Sequence, residues 1–208
     1  MLKWIVIVLQ ALLSAAALAA EPPTNKQLIA AMTPTTESVI IWRIEPLMSD
    51  KSVLKAHAGK LSWTWLTPGK DDQLVGCISE ALTKATIRVQ VLAGSKFQPV
   101  KGIGAGEHEL RQIMYTKDSL EEVRKKLDNK DGVKDLGKNL ALNGITVYTS
   151  DIVLPWDKLA ASKMADEKDP KAKPKTTPVF AAFPDDHCVV ITFSQTEMDL
   201  LLKGLKAP

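Results

Sequence analysis

The sequence predicts an α+β fold: an antiparallel sheet of about six strands with helices packed mainly on one face, built from strand-strand-helix units. Three observations support this prediction. Short runs of β-branched and aromatic residues are bounded by turn residues. Other segments carry apolar residues at helical spacing. Two pairs of predicted strands are each followed by a helix-capping pattern, so the unit occurs twice, as architectural repetition without similar residues.

The first half of the chain alternates helical and extended patterns. The predicted elements are a helix at 25–32, a strand at 38–44, a helix at 50–58, a strand at 61–66, a helix at 72–83 and strands at 86–93 and 107–115. Asp71 or Asp72 is the expected N-cap of the helix at 72–83. Cys77 lies on the apolar face of that helix and is expected to point inward.

The second half repeats the pattern of paired strands and a capped helix. Ser119 to Glu122 has the form of a capping box, in which serine and glutamate satisfy free backbone donors at a helix start. A strand follows at 144–150. A hairpin at 179–193 is expected to turn at Pro184, Asp185 and Asp186, and Ser194 to Glu197 then begins the last helix.

One segment differs from the rest in composition. Residues 164–178 are rich in lysine, acidic residues and proline, and such a segment cannot bury a core. We expect a mobile, solvated loop there, preceded by a short helix near 156–164. Residues 20–208 are otherwise expected to form a single domain.

The first 19 residues have the pattern of a secretory signal peptide. Lys3 precedes an apolar run from Trp4 to Leu13, and Ala17-Leu18-Ala19 has the small-x-small form that signal peptidase requires. An uncleaved anchor is the alternative, but the apolar run is shorter than the ~20 residues that span a bilayer. The sequence therefore predicts a secreted or periplasmic protein with no membrane span after signal removal.

The charge balance gives no reason to expect a nucleic-acid partner. The chain has 27 basic and 24 acidic residues, without a strongly basic surplus. The glycines at 102, 104 and 106 are spaced too closely for a dinucleotide loop and lead into a predicted strand, so a bulged connection is favoured. The sequence implies no cofactor.

Two cysteines, Cys77 and Cys188, can be interpreted in two ways. In an oxidising compartment they could form one disulfide. Because cysteine is among the most frequently buried residue types, they could equally be two separate buried thiols. The sequence leaves both alternatives open.

Two clusters combine carboxylates with an imidazole, the residue types that bind zinc or perform acid-base catalysis. Glu107, His108 and Glu109 form the first, but on a strand the glutamates point away from the histidine. Asp186 and His187, with Asp185, form the second, where the turn itself needs aspartates. A metal site would require the two clusters to meet in space.

The tryptophans offer a different kind of contact surface. Trp42, Trp63, Trp65 and Trp156 could stack on sugars or contact a partner protein, because tryptophan supplies a large rigid surface. Core packing is the simpler interpretation, since Trp63 and Trp65 share a strand face with Leu61.

Three segments carry a resemblance to a known group of proteins. Pro34 to Ile41, Asn143 to Tyr148 and Phe183 to Val190 resemble, at the level of pattern, uncharacterised exported bacterial proteins with repeated strand-strand-helix units. The resemblance implies a fold type and brings no catalytic residue or cofactor. The sequence thus favours a non-enzymatic envelope or extracellular module acting through contact with a protein partner. A hydrolase or metal-dependent enzyme using the acidic and histidine clusters, and a glycan-binding module using exposed tryptophan, are the alternatives.

Overall fold

Seven strands form one antiparallel sheet in the computed structural model, which describes residues 21–43, 73–95, 109–130, 133–153 and 176–206. The elements in chain order are α1 (Asn25–Ala30), β1 (Ser38–Arg43), α2 (Leu74–Lys84), β2 (Ile87–Ser95), β3 (Glu109–Thr116), α3 (Glu121–Asp128), β4 (Leu140–Leu142), β5 (Ile145–Ile152), β6 (Thr177–Asp185), β7 (Cys188–Thr192) and α4 (Gln195–Lys206). The predicted α+β class is confirmed. No helix within the described ranges combines the length and apolar composition needed to cross a bilayer.

Several sequence predictions fall on residues outside the described ranges. These are the signal segment at 1–19, the helix at 50–58, the strand at 61–66, the helix near 156–164 and most of the loop at 164–178. The strands predicted at 38–44, 86–93 and 107–115 correspond to β1, β2 and β3, and the predicted hairpin at 179–193 corresponds to β6 and β7.

The two predicted strand pairs form hairpins that meet at the centre of the sheet. The strand order is β1-β2-β3-β7-β6-β5-β4. β3 and β7 pair antiparallel, with Ile113 opposite Val190. Two residues separate β6 from β7, whereas residues 96–108 separate β2 from β3. β1 and β4 are the edge strands among those that the structure describes.

Strand β4 was not expected from the sequence and exists because of a tight turn. Asn143 and Gly144 both have positive φ, 53° and 73°, and link Leu142 directly to its partner Ile145. Asn-Gly is the preferred pair for a two-residue turn of this hand, since both positions need a left-handed backbone. The turn therefore extends the predicted strand at 144–150 into a hairpin.

The expectation that helices pack mainly on one face is not confirmed, because helices cover both faces. Neighbouring residues of β3 and β7 alternate between two apolar clusters: Met114 and Val189 face α2 and α3, whereas Ile113 and Val190 face α1 and α4. All five residues of β7 are buried. A strand that is apolar on both faces requires cover on both, so one layer of helices would leave half of it in water.

Helix α2 is capped by a residue distant in sequence. Gln73 occupies the N-cap position without a side-chain bond to the helix. Instead, the amide of Leu74 donates to the Asp135 carboxylate over 3.0 Å. The same carboxylate accepts a hydrogen bond from the Ser150 hydroxyl at 2.6 Å. Asp71 and Asp72, the predicted caps, lie outside the described residues.

The capping box predicted at Ser119 does not form as expected. Helix α3 begins at Glu121 with Leu120 as its N-cap, one position later than the pattern implied. The Ser119 hydroxyl accepts from the Glu121 amide at 3.2 Å. Leu120 is buried, and its amide donates to the Asp186 carbonyl, so packing against the β6–β7 turn sets the helix start.

A glycine allows α4 to approach the end of α1. A Cβ added at Gly204 would lie 2.8 Å from the Cα of Ala31 and 2.9 Å from its carbonyl carbon. Backbone atoms cannot move aside as a flexible side chain can. Gly204→Ala would gain up to ~1 kcal/mol of helix propensity in an open helix. Here we expect it to lower the free energy of unfolding by ~1–3 kcal/mol.

Urea unfolding followed by circular dichroism checks this prediction. Lys203→Ala is the matched control, because Lys203 is exposed on the same turn of α4. A more stable Gly204→Ala protein would show that α4 and α1 are not in close contact.

Candidate functional site

The second predicted cluster, Asp185, Asp186 and His187, forms the turn between β6 and β7 and bonds it to its surroundings. The Asp185 carboxylate accepts the His187 amide at 2.7 Å. Asp186 forms an ion pair with Arg124 of α3 at 2.7 Å. His187 is partly buried, and its carbonyl accepts the Thr116 amide at 2.8 Å. The Asp185 carboxylate therefore bonds the backbone of the turn, as the sequence interpretation of the aspartates implied, whereas Asp186 and His187 hold the turn against α3 and β3.

The first predicted cluster is mostly outside the described residues. Glu107 and His108 lie there, and Glu109 begins β3, where it is paired with Ser95. Across the ranges that the structure describes, no three histidine, cysteine or acidic side chains converge as metal ligands would. The metal or hydrolase alternative, which requires His108 to lie near His187, stays a prediction.

The two cysteines are separate buried thiols in this structure. Cys77 belongs to the cluster under α2 and α3, and Cys188 to the cluster under α1 and α4, so the sheet lies between them. This corresponds to the second of the two alternatives left open by the sequence. Burial raises the pKa of the Cys188 thiol well above its ordinary value, and burial also raises the pKa of the Cys77 thiol. Both therefore stay protonated and are poor nucleophiles near neutral pH.

A polar cleft of about 430 Å³ opens between α3 and the first residues of β5. Arg124, Asp128, Thr146 and Tyr148 supply its polar lining. The Tyr148 hydroxyl donates to the Asp128 carboxylate at 2.5 Å. Burial, and to a lesser extent this hydrogen bond, raises the pKa of the Tyr148 phenol. Tyr148 and Asp128 are therefore bonded to each other, and Arg124 is paired with Asp186.

A buried ion pair, not predicted from the sequence, crosses the core on the α4 side of the sheet. Arg111 of β3 and Glu197 of α4 lie 2.6 Å apart, with side chains only 1% and 8% exposed. The sequence did contain one indication of this ion pair: Arg111 is a charged residue on the same strand face as Ile113 and Tyr115, which is otherwise apolar. Glu197 was instead expected to cap its own helix.

Threonines of the α1–β1 connection complete this buried network. The Arg111 guanidinium donates to the hydroxyl groups of Thr36 and Thr35, the latter at 2.7 Å. The Thr35 hydroxyl donates to Glu197 at 2.9 Å. Thr33 hydrogen-bonds both threonines. The connection that leads into β1 is therefore fixed to β3 and α4 by charged groups.

The far end of β1 is also fixed. The Arg43 guanidinium donates to the Asn25 side chain at 2.8 Å and to the Pro23 carbonyl at 2.6 Å. Along its inner side β1 pairs with β2 over the full length of the strand. Both ends and one edge of β1 are consequently held in place.

One face of β1 is both apolar and exposed to solvent. Ile40 is 50% exposed and Trp42 is 41% exposed, on the strand face opposite to the one where Val39 and Ile41 pack against the core. Of the predicted tryptophan surface, Trp42 is the member that the structure describes. Trp63, Trp65 and Trp156 lie outside the described residues. We call residues 38–43, with the exposed Ile40 and Trp42, the β1 edge.

The β1 edge is the best-defined candidate contact surface in the described part of the chain. It combines a rigid backbone with exposed apolar side chains, two properties that favour recognition of a protein. The resemblance to exported strand-strand-helix proteins stays a prediction. No protein-family model, curated protein or solved structure matches this chain.

Proposed function

We propose that this chain is an exported, non-enzymatic module that acts through protein contact, and that the β1 edge is its contact surface. The observation that carries the proposal is the half exposure of Ile40 and Trp42 on an edge strand. Burying such side chains against a partner removes apolar surface from water, which drives most protein association.

The composition of β1 supports this role. Edge strands that must avoid other chains are usually very short or carry charged side chains in mid-strand. β4, at the other edge, has only three residues. β1 has six, and the stretch from Ser38 to Trp42 contains no charge. Such an edge can accept an added strand through backbone hydrogen bonds, with side-chain contacts giving specificity.

The anchoring of β1 supports the same conclusion from energetics. Ordering a loop or strand on binding costs conformational entropy, which reduces affinity. The network of Arg111, Glu197 and Thr35 and the bonds of Arg43 order β1 in advance. The strand can therefore bind a partner without a large ordering cost.

Export is the second part of the proposal and is supported by the sequence alone. Lys3, the apolar run and the Ala17-Leu18-Ala19 triplet form the three regions of a signal peptide in order. The mature protein would begin at residue 20 and be secreted or periplasmic.

Cross-linking in intact cells tests both parts. We expect wild-type protein in the envelope or extracellular fraction to begin at residue 20 by mass spectrometry and to form a cross-linked product. Trp42→Lys should lose at least about nine-tenths of that product, because a charge is placed in an apolar contact. Ile29→Lys is the matched control, since Ile29 is an exposed isoleucine on α1.

Two results would contradict the proposal. Equal cross-linking by wild type and Trp42→Lys would exclude the β1 edge as the contact surface. Protein retained in the cytoplasm with residues 1–19 intact would refute export. The exposure of Trp42 also favours the glycan-binding alternative, and retention of wild type but not Trp42→Lys in a polysaccharide gel would support that alternative instead.

A further inference from the structure

We infer that the partner of the β1 edge is a second copy of this chain, paired antiparallel about a two-fold axis at Ile40. This inference rests on the proposed contact function of the β1 edge and names its partner. The two sheets would join through β1 into one continuous sheet across the dimer.

Symmetry restricts the registers that two copies of β1 can adopt. In an antiparallel pair, the two-fold axis perpendicular to the sheet passes between two directly opposed residues. In a symmetric dimer those two residues must be the same residue of each copy. Axes at Val39, Ile40 or Ile41 are the candidates near the strand centre, and the charges at its two ends distinguish among them.

The axis at Ile40 makes the strand complementary to itself. Glu37 and Arg43 lie at equal distances on either side of Ile40, so each glutamate comes opposite the arginine of the other copy. Opposite charges directly across a strand pair are stabilising. The Arg43 guanidinium donates to the Asn25 side chain and to the Pro23 carbonyl, and these two bonds position its charge at the end of β1.

The neighbouring registers are less favourable. An axis at Ile41 places Arg43 opposite Val39, and an axis at Val39 places Glu37 opposite Ile41. Val39 and Ile41 pack against the core on that strand face, so either register sets a charge beside an apolar residue. The axis at Ile40 instead opposes Val39 to Ile41 and brings the two exposed Ile40 side chains together.

Disulfide trapping tests the register directly. Ile40→Cys in the full chain should give a covalent dimer under mild oxidation, because opposed residues have Cβ atoms about 4.5–5.5 Å apart. Trp42→Cys is the matched control on the same exposed face. In this register its two copies are four residues apart along the strands, roughly 13 Å, too far to bridge. The native Cys77 and Cys188 are buried and should stay reduced.

Charge reversal tests whether Glu37 of one copy lies opposite Arg43 of the other. Glu37→Arg places like charges opposite each other in a homodimer, and so does Arg43→Glu. Each variant alone should raise the dimer dissociation constant about tenfold. An equimolar mixture should restore dimers, because every opposed pair then joins opposite charges. Sedimentation velocity of each variant and of the mixture measures this.

The inference and the proposed function can fail separately. A monomeric wild type that gives no Ile40→Cys dimer overturns self-pairing. If the cross-linked product in cells then contains a different protein and is lost in Trp42→Lys, the proposed contact function stands with another partner. Efficient trapping at Trp42→Cys in place of Ile40→Cys also overturns the inference, because it requires another register.

Discussion

Replacing Arg111 with methionine is expected to lower the free energy of unfolding by ~3–5 kcal/mol. Arg111 and Glu197 are 1% and 8% exposed, and the substitution leaves the Glu197 carboxylate buried without its cation. Thr35 and Thr36 lose a donor at the same time. An unpaired buried charge is costly because the protein interior solvates it poorly. Urea unfolding followed by tryptophan fluorescence and circular dichroism measures the loss.

A double variant separates the ion pair from the packing that surrounds it. Arg111→Met/Glu197→Leu removes both charges and keeps most of the volume, so we expect it to recover more than half of the loss. Lys84→Ala is the control for an exposed pair, since Lys84 and Glu80 have side chains 72% and 43% exposed. Its unfolding midpoint should not change measurably.

The opposite pattern would contradict this account of the network. If the double variant were no more stable than Arg111→Met, the cost would arise from lost packing or lost threonine bonds and not from an unpaired charge. If Arg111→Met itself were as stable as wild type, Glu197 would have to find water or another partner on losing the arginine.

Local features of the chain were predictable because nearby residues determine them. The capped start of α1, the apolar run of β1 and the hairpin turn at Asp185 depend on residues close in sequence. Strand pairs joined by short turns also follow from local pattern. For the same reason the sequence correctly predicted the α+β class, two hairpins and inward-facing Cys77.

Features that depend on distant partners were not predictable. Asp135 caps α2 from far along the chain, and nothing near Leu74 indicates it. The Ser119 pattern predicted a helix start one residue too early, and the Leu120 amide is bonded to the distant Asp186 carbonyl in the β6–β7 turn. Arg111 and Glu197 are separate charges in sequence and become a pair only when β3 and α4 meet.

Because the sheet has an apolar core on each face, truncating a buried leucine on either face should strongly destabilise the protein. Leu202 of α4 and Leu127 of α3 are both fully buried, on opposite faces of the sheet. Truncation of a buried leucine to alanine costs ~2–5 kcal/mol through lost transfer energy and the cavity left behind. We therefore expect Leu202→Ala and Leu127→Ala each to lower the free energy of unfolding by an amount in this range, measured by urea unfolding.

Leu200→Ala is the matched control, because Leu200 lies on α4 and is only partly buried. It should cost clearly less than Leu202→Ala, the same chemical change two residues away. A large loss at Leu127 with a negligible loss at Leu202 would mean that one helical layer carries the stability, as the sequence had predicted. Comparable losses on both faces would instead show that the buried strands need both layers, because residues such as Val189 and Val190 are adjacent in β7 and face opposite sides.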